Sequence, residues 1–250
     1  MVERPMGTPK RQAHPIYSQS PVNEALVAFF FKGSREQLLD PTFSGRFWMH
    51  PKIQEEYPKT LLPQGHRVRL GSLELESEFN QIRFQSGDGK RLLILMPGVL
   101  SVHQLRPYET WDVFRTQVER ALGAYTTTSN MDQIQRVGVR YINTWQVGGW
   151  EEAADHLDQV GKPLCLDGSN PSSLVRRQEY RITEHEVLAV HQACSPQEIG
   201  CEVSLDLDAG EHYPEGCSPD AALEHADRLH ERVYEVFEKL ITDKAREAFT

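Results

Sequence analysis

The sequence predicts an α+β fold in which antiparallel strands form a sheet and long amphipathic helices cover one of its faces. Three observations support this class. Short stretches that alternate apolar and polar residues recur between turn-forming residues, as is typical of half-buried strands. Two longer stretches repeat apolar residues at helical spacing. Each long helix follows a group of strands, so the pattern indicates two sheet-then-helix halves.

The first predicted strand lies in residues 17–32 and contains the apolar run ALVAFFF. Gly33 ends it, and Ser34 is a suitable N-cap for a short helical segment. Residues 40–66 contain four prolines together with many aromatic side chains. Because proline interrupts helices, we expect short elements here that cover part of the sheet.

The next region reads as a three-stranded meander. Apolar and polar residues alternate over residues 73–84, but the apolar residues change from odd to even positions near Asn80. A β-bulge at that point would cause such a change. A Ser-Gly-Asp-Gly turn leads to an apolar strand at 90–96, and a Pro-Gly turn leads to a third strand at 99–105. A helix with one apolar stripe should then pack on this meander. The stripe consists of Trp111, Phe114, Val118, Leu122 and Tyr125.

Three further strands are predicted in the last third of the chain, at 175–181, 187–193 and 201–207. Ser218 and Pro219 then begin a helix, because a hydroxyl caps its first turn and proline suits the first helical position. Its apolar stripe runs to near the C-terminus. The stripe consists of Ala222, Ala226, Leu229, Val233, Phe237 and Leu240.

Domain boundaries follow from composition. Charge and proline in residues 1–15 replace the apolar core of a secretion signal, so we expect a flexible tail and a cytoplasmic location. Residues 16–250 form one α+β domain. The alternative is two subdomains, 16–160 and 174–250, joined by residues 161–173, which are turn-forming almost throughout.

The overall composition excludes several partners. The chain has 250 residues, of which 39% are hydrophobic and 25% charged, a balance typical of a globular protein. The formal net charge of −9 disfavours nucleic acid, which is bound through a local excess of Lys and Arg. No apolar run approaches the roughly 18 residues of a membrane helix, so we expect no membrane partner.

The most distinctive strand is RVGVRYINTWQV, residues 136–147, because its two faces differ chemically. Arg136 and Arg140 lie on the polar face about 13 Å apart, a spacing that can hold two anionic groups of a ligand or two partner carboxylates. Tyr141 and Asn143 lie on the packed face, where Asn143 is either a ligand contact or a hydrogen-bonded core residue. These four are the candidate ligand- or partner-binding residues. In the alternative, the arginines pair with an acidic row on a neighbouring strand. That row is Glu74, Glu76 and Glu78.

Glu202, Asp206 and Asp208 share one face of a strand, and such a row can bind Mg²⁺ or Ca²⁺ through carboxylate oxygens. In the alternative, these carboxylates are solvated or pair with a charged row on another strand. That row is Arg177, Glu179 and Arg181. His225 and His230 lie on the last long helix. We interpret His230 as a hydrogen-bonded histidine beside the apolar stripe, with a general base as the alternative.

The cysteines are predicted to be free thiols, because the cytosol is reducing and the sequence has no C-x-x-C pair. They are Cys165, Cys194, Cys201 and Cys217. A zinc site is the alternative. It would draw on His191, Cys194, Cys201 and either His212 or Cys217. No cofactor is predicted, and a divalent metal is retained only for the acidic row and this set.

Four segments together resemble a family of bacterial proteins of about this length that is sporadically distributed and has no established function. They are YSQSPVNEALVAFF (residues 17–30), the W-x-x-F start of a helix at Trp111, the strand RVGVRYIN (residues 136–143), and a long His-bearing helix that runs into FEKLIT (residues 237–242). The resemblance implies an accessory or defence-type locus. It supplies no activity, cofactor or catalytic residue.

We therefore expect a cytosolic binding protein whose sheet binds a protein partner, a second copy of itself or an anionic small ligand. No phosphate-binding loop or nucleophile elbow is present, which disfavours most nucleotide hydrolases and esterases. One alternative is a metal-assisted phosphodiesterase or nuclease that uses the acidic row. A second alternative is a chaperone-like or antitoxin-like module, which requires an exposed apolar groove. Its lining would be Phe43, Phe47 and Trp48.

Overall fold

The computed structural model describes residues 16–33, 42–61, 66–70, 73–77, 81–157 and 171–250. The predicted tail over residues 1–15 and most of the predicted linker lie outside these ranges. Within them the chain forms a nine-stranded antiparallel sheet, a separate two-stranded hairpin and six helices. The α+β class and the antiparallel sheet are therefore confirmed.

Eleven strands are present in the described residues. They are β1 (Val22–Phe31), β2 (Lys59–Leu61), β3 (His66–Leu70), β4 (Leu73–Ser77), β5 (Ile82–Gln85), β6 (Arg91–Met96), β7 (Val99–Leu105), β8 (Ile134–Val147), β9 (Leu174–Arg181), β10 (Glu186–Pro196) and β11 (Cys201–Cys217). The helices are α1 (Phe43–Trp48), α2 (Pro51–Glu56), α3 (Trp111–Ser129), α4 (Trp150–His156), α5 (Pro219–Leu240) and α6 (Asp243–Phe249).

The order of strands in the large sheet is β2-β5-β6-β7-β1-β8-β11-β10-β9. β8 pairs with β1 along one edge and with β11 along the other. Strands from both predicted halves therefore continue one hydrogen-bonded sheet. The structure does not separate two sheet-then-helix halves.

The predicted meander is wrong in its first strand. β4 pairs with β3 in the separate hairpin, and the meander consists of β5, β6 and β7. The parity change near Asn80 suggested a bulge within one strand. Alternation alone cannot distinguish a bulged strand from two strands that belong to different sheets, because the side-chain period is the same in both cases.

The two long helices pack on the same face of the large sheet. Phe31 of β1 stacks on Tyr125 of α3, with ring centroids 4.0 Å apart. Tyr141 of β8 points to the same side and forms a hydrogen bond with His230 of α5. We call this the helix-covered face, and the opposite side of the same strands is the open face.

Both long helices begin where the sequence predicts. The Thr110 hydroxyl accepts a hydrogen bond from the backbone N–H of Val113 at the start of α3, and the Ser218 hydroxyl accepts one from Ala221 at the start of α5. These caps satisfy backbone donors that a first helical turn leaves unpaired. Asn130 ends α3 in the left-handed conformation, with φ 56°.

The short helices α1 and α2 cover the sheet beside α3, as the prolines and aromatic residues of this region indicate. Phe47 and Ile53 of these helices are buried in the core, and Phe43 and Trp48 pack against it. These aromatic residues therefore do not form the exposed groove that a chaperone-like module requires. In the described part of the chain, no helix combines the length and the apolar character that membrane crossing demands.

Candidate functional site

A cavity of about 320 Å³ borders the helix-covered face of the sheet. β8 and β11 supply its floor, α5 supplies one wall, and the residues before and at the start of α3 supply the other. The first described residues of the chain lie at its edge. The lining residues are Ile16, Tyr17, Ser20, Pro21, Val22, Tyr108, Glu109, Thr110, Trp111, Asp112, Tyr141, Asn143, Leu207, His230, Glu231, Val233, Tyr234 and Phe237.

Three polar groups form a chain of hydrogen bonds at this cavity. The hydroxyl oxygens of Tyr108 and Tyr141 are 2.7 Å apart, and the Tyr141 hydroxyl lies 3.1 Å from Nδ1 of His230. Burial raises the pKa of both tyrosines well above the ordinary value. Both side chains are therefore neutral at physiological pH, and each can donate one hydrogen bond and accept others.

Trp111 fixes the orientation of this chain. Its indole lies parallel to the His230 imidazole, with ring centroids 4.3 Å apart and an interplanar angle of 7°. The indole Nε1 donates to Asp227 at 2.8 Å, and Asp227 also accepts from Arg115 Nε at 3.0 Å from each oxygen. The imidazole plane is therefore held by a side chain that is itself anchored.

Asn143 is a hydrogen-bonded core residue, which is one of the two roles considered for it. Its side-chain amide donates to the carbonyl of Leu205 on β11 at 3.0 Å, and the residue is buried. It also borders the cavity. A hydrogen bond to the neighbouring strand fixes the amide, so its position at the floor is defined before any ligand arrives.

Arg140 lies on the open face and is engaged by Asp206. Its Nε and Nη2 atoms donate to the two carboxylate oxygens of Asp206 at 2.8 and 2.6 Å. This bidentate hydrogen bond raises the pKa of Arg140. The alternative, in which the arginines pair with acidic residues of a neighbouring strand, holds for Arg140, but the acidic row named for it is wrong. β8 has β1 and β11 as neighbours, whereas β4, which carries Glu74 and Glu76, pairs with β3.

Arg136 lies on the same open face and is exposed, with its guanidinium carbon 4.9 Å from the centroid of the Phe30 ring. The four candidate residues are thus divided between the two sides of β8. Tyr141 and Asn143 line the cavity, whereas Arg136 and Arg140 point away from it. Side-chain alternation along a strand imposes this division.

The acidic row occupies the open face of β11. Asp206 is bound by Arg140, and Glu202 accepts a weaker hydrogen bond from Gln146 at 3.3 Å. Burial raises the pKa of Asp208. β10 separates β11 from β9, so the charged row on β9 is not a cross-strand partner of these carboxylates. Within the described ranges, no three His, Cys, Asp or Glu side chains are grouped closely enough to hold a metal ion.

The cysteines of the described residues are free thiols. Cys194 and Cys201 are buried on the helix-covered face, whereas His191 lies on the open face because it is three residues from Cys194 along β10. Burial raises the pKa of the Cys194 thiol to about 12. Cys165 lies outside the described residues.

Sequence reasoning missed two polar features. Tyr108 lies in a loop with no periodic pattern, so nothing local indicates that its hydroxyl meets Tyr141. On the open face, His103 Nδ1 lies 2.6 Å from a carboxylate oxygen of Glu24, and this hydrogen bond lowers the pKa of Glu24. These pairs join residues 33 and 79 positions apart, beyond the reach of sequence spacing.

Comparison with known proteins adds little to this geometry. The chain matches no protein-family model, and no curated protein matches it. Among solved structures it is similar to the crystal structure of the di-domain ARO/CYC StfQ from the steffimycin biosynthetic pathway. The alignment covers 86% of this chain and 97% of that chain, with 10% sequence identity and a TM-score of 0.18. A TM-score of this size does not assign a fold or a function.

Proposed function

We propose that the protein binds a small, largely apolar molecule in the cavity between β8, β11 and α5. The observation that carries this proposal is a cavity of about 320 Å³ with aromatic and aliphatic walls, across which Tyr108, Tyr141 and His230 form a chain of hydrogen bonds. Small-molecule sites are typically concave and mostly apolar, with a few fixed polar groups and volumes of roughly 300–1,000 Å³.

The polar chain would orient the ligand. Because both tyrosines are neutral, the chain can donate to a carbonyl oxygen or accept from a hydroxyl or amine of the ligand. A buried polar group that loses its partner costs stability, so a ligand without a matching polar atom would bind less well. We therefore expect an apolar molecule with at least one hydrogen-bonding group.

An anionic ligand in this cavity is not part of the proposal. Arg136 and Arg140, the basis of that expectation, both face the other side of the sheet, and Arg140 is engaged by Asp206. Within the described residues, neither Lys nor Arg lines the cavity. We favour binding over a metal-assisted phosphodiesterase or nuclease. That alternative needs Asp206 as a metal ligand, but both carboxylate oxygens of Asp206 already accept hydrogen bonds from Arg140.

Membership of the sporadically distributed bacterial family, a cytoplasmic location and a role in an accessory or defence-type locus remain part of this proposal. One observation connects the family resemblance with the cavity. All four segments on which the resemblance rests contribute lining residues. These include Tyr17 and Val22 from the first segment, Trp111 from the second, Tyr141 and Asn143 from the third, and Phe237 from the fourth.

A fluorescent probe tests the proposal. N-phenyl-1-naphthylamine is neutral and apolar, and it becomes fluorescent when it leaves water. We expect saturable binding to the wild-type protein and roughly tenfold weaker binding to Val233→Phe, because the larger side chain occupies the cavity. Val113→Phe is the matched control, since Val113 is exposed on α3 and does not line the cavity.

Thermal unfolding and circular dichroism show whether each variant is folded. The proposal fails if the folded Val233→Phe protein binds the probe as tightly as the wild type, or if the wild type shows no saturable binding.

A further inference from the structure

The two edges of the nine-stranded sheet differ in length. β2 forms one edge with three residues, whereas β9 forms the other with eight. Proteins usually protect a long edge with proline, a bulge or charged side chains, because its outer row of backbone groups can pair with another strand. β9 has no proline, and its register with β10 is continuous, so only its charged side chains remain as protection. The order of these charges therefore decides which strand can pair with it.

Every second residue of β9 directs its backbone groups away from β10. The Ile182 N–H donates to the Glu186 carbonyl at 2.9 Å, which fixes which residues of β9 form hydrogen-bonded pairs with β10. Gln178, opposite Val190, is one of them. The residues between them carry the outward N–H and C=O groups, and these are Val175, Arg177, Glu179 and Arg181. In the described part of the chain, no other backbone group forms a hydrogen bond with these outward groups.

The charges of β9 select one antiparallel register with a second copy of the same strand. A two-fold axis at Gln178 places Arg177 of each copy opposite Glu179 of the other, and it pairs residues 175–181. An axis at Arg177 or Glu179 would place like charges opposite each other, which destabilises a sheet. An axis at Tyr180 also pairs opposite charges, but it lies next to the end of the strand and pairs fewer residues. The register centred on Gln178 is therefore favoured.

The side chains of this register are accessible to a second copy. Arg177 Nη2 lies 3.5 Å from Glu179 Oε2 of the same strand, and the two side chains are 62% and 60% exposed. Such an exposed pair contributes little to stability, so replacing it by pairs across an interface costs little. The same register places Val175, which is 66% exposed, opposite Arg181, whose aliphatic stem can cover it. Pairing would therefore also cover an exposed apolar side chain.

We propose that two copies of this chain form a symmetric dimer through antiparallel pairing of their β9 strands, with the two-fold axis at Gln178, so that their sheets become continuous. Backbone hydrogen bonds supply the attraction, as in other cases of strand addition to a sheet edge. Arg177 and Glu179 select a second copy over other strands, because a two-fold interface must be complementary to itself. No residue of β9 lines the cavity, so this interaction goes beyond the proposed binding of a small molecule.

Sedimentation equilibrium of the full chain tests the dimer. We expect the wild type to reach twice the 28.6 kDa mass of one chain at micromolar concentration. Arg177→Glu and Glu179→Arg should each weaken the dimer by roughly tenfold or more, because both opposite pairs become like pairs. An equimolar mixture of the two variants should regain the wild-type affinity, since their β9 strands are complementary to each other. Glu198→Arg is the matched control, because Glu198 is exposed in the turn after β10 and should leave the dimer unchanged.

Cysteine cross-linking tests the register. In the proposed dimer the two Gln178 residues face each other with Cα atoms about 4.5 Å apart, within the range for a disulfide. Oxidised glutathione should therefore convert Gln178→Cys to a covalent dimer, in excess of the wild type.

Tyr180→Cys is the matched control, since Tyr180 lies on the same side of β9 but about 13 Å along the strand from its counterpart. The inference is overturned if the folded wild type remains a monomer, if the charge variants dimerise as tightly as the wild type, or if Tyr180→Cys cross-links as readily as Gln178→Cys. Circular dichroism shows that each variant is folded.

Discussion

The substitution Tyr141→Phe tests whether the buried hydrogen-bond chain stabilises the fold. It removes one hydroxyl and leaves the ring in place. That hydroxyl is hydrogen-bonded to Tyr108 at 2.7 Å and to His230 Nδ1 at 3.1 Å. A neutral intramolecular hydrogen bond contributes about 1 kcal/mol net, so losing two should lower the free energy of unfolding by about 2 kcal/mol. For a chain of this size that corresponds to about 4–8 °C in Tm.

Urea unfolding followed by circular dichroism measures this change. Tyr180→Phe is the control, because Tyr180 lies on the edge strand β9 and is 42% exposed, so its free energy of unfolding should change by less than about 0.5 kcal/mol. A Tyr141→Phe protein as stable as the wild type, or more stable, would contradict the claim that these three groups form a satisfied buried chain.

Three further changes test the sheet and its helices. Burial raises the pKa of Asp208 in the folded state, so its ionisation costs stability above that pKa. Asp208→Asn should therefore unfold at higher urea concentration than the wild type near neutral pH, and this advantage should disappear below the free aspartate pKa of about 3.9. A double-mutant cycle with Arg140→Met and Asp206→Asn should give a coupling energy of about 1 kcal/mol, because the ion pair is bidentate but Arg140 is 40% exposed; additive changes would contradict the pair. Ser218→Ala should lower the free energy of unfolding by about 1 kcal/mol through loss of the α5 cap, and Ser218→Thr should retain most of it.

Local patterns predicted the elements that depend on local physics. The 3.6-residue spacing of apolar side chains located α3 and α5, and the capping hydroxyl of Ser218 located the start of α5. Alternation along β8 predicted that Arg140 and Tyr141 would lie on opposite faces. Each of these features depends on residues within a few positions of one another.

The pairing of distant residues could not be predicted in the same way. Arg140 and Asp206 are 66 positions apart, and Tyr141 and His230 are 89 positions apart. Their contacts depend on sheet register and on where α5 crosses the sheet, which no local spacing encodes. For the same reason the sequence indicated Arg140 as a ligand contact, although its guanidinium is already satisfied by a carboxylate on the adjacent strand.

NMR of the histidine side chains shows on which face of the sheet a small molecule binds. His230 lies at the cavity, whereas His103 and His191 lie on the open face. During a titration with N-phenyl-1-naphthylamine, we expect the imidazole signals of His230 to shift with saturation while those of His103 and His191 stay in place. Shifts confined to His103 or His191 would place the site on the opposite face and overturn the proposed function.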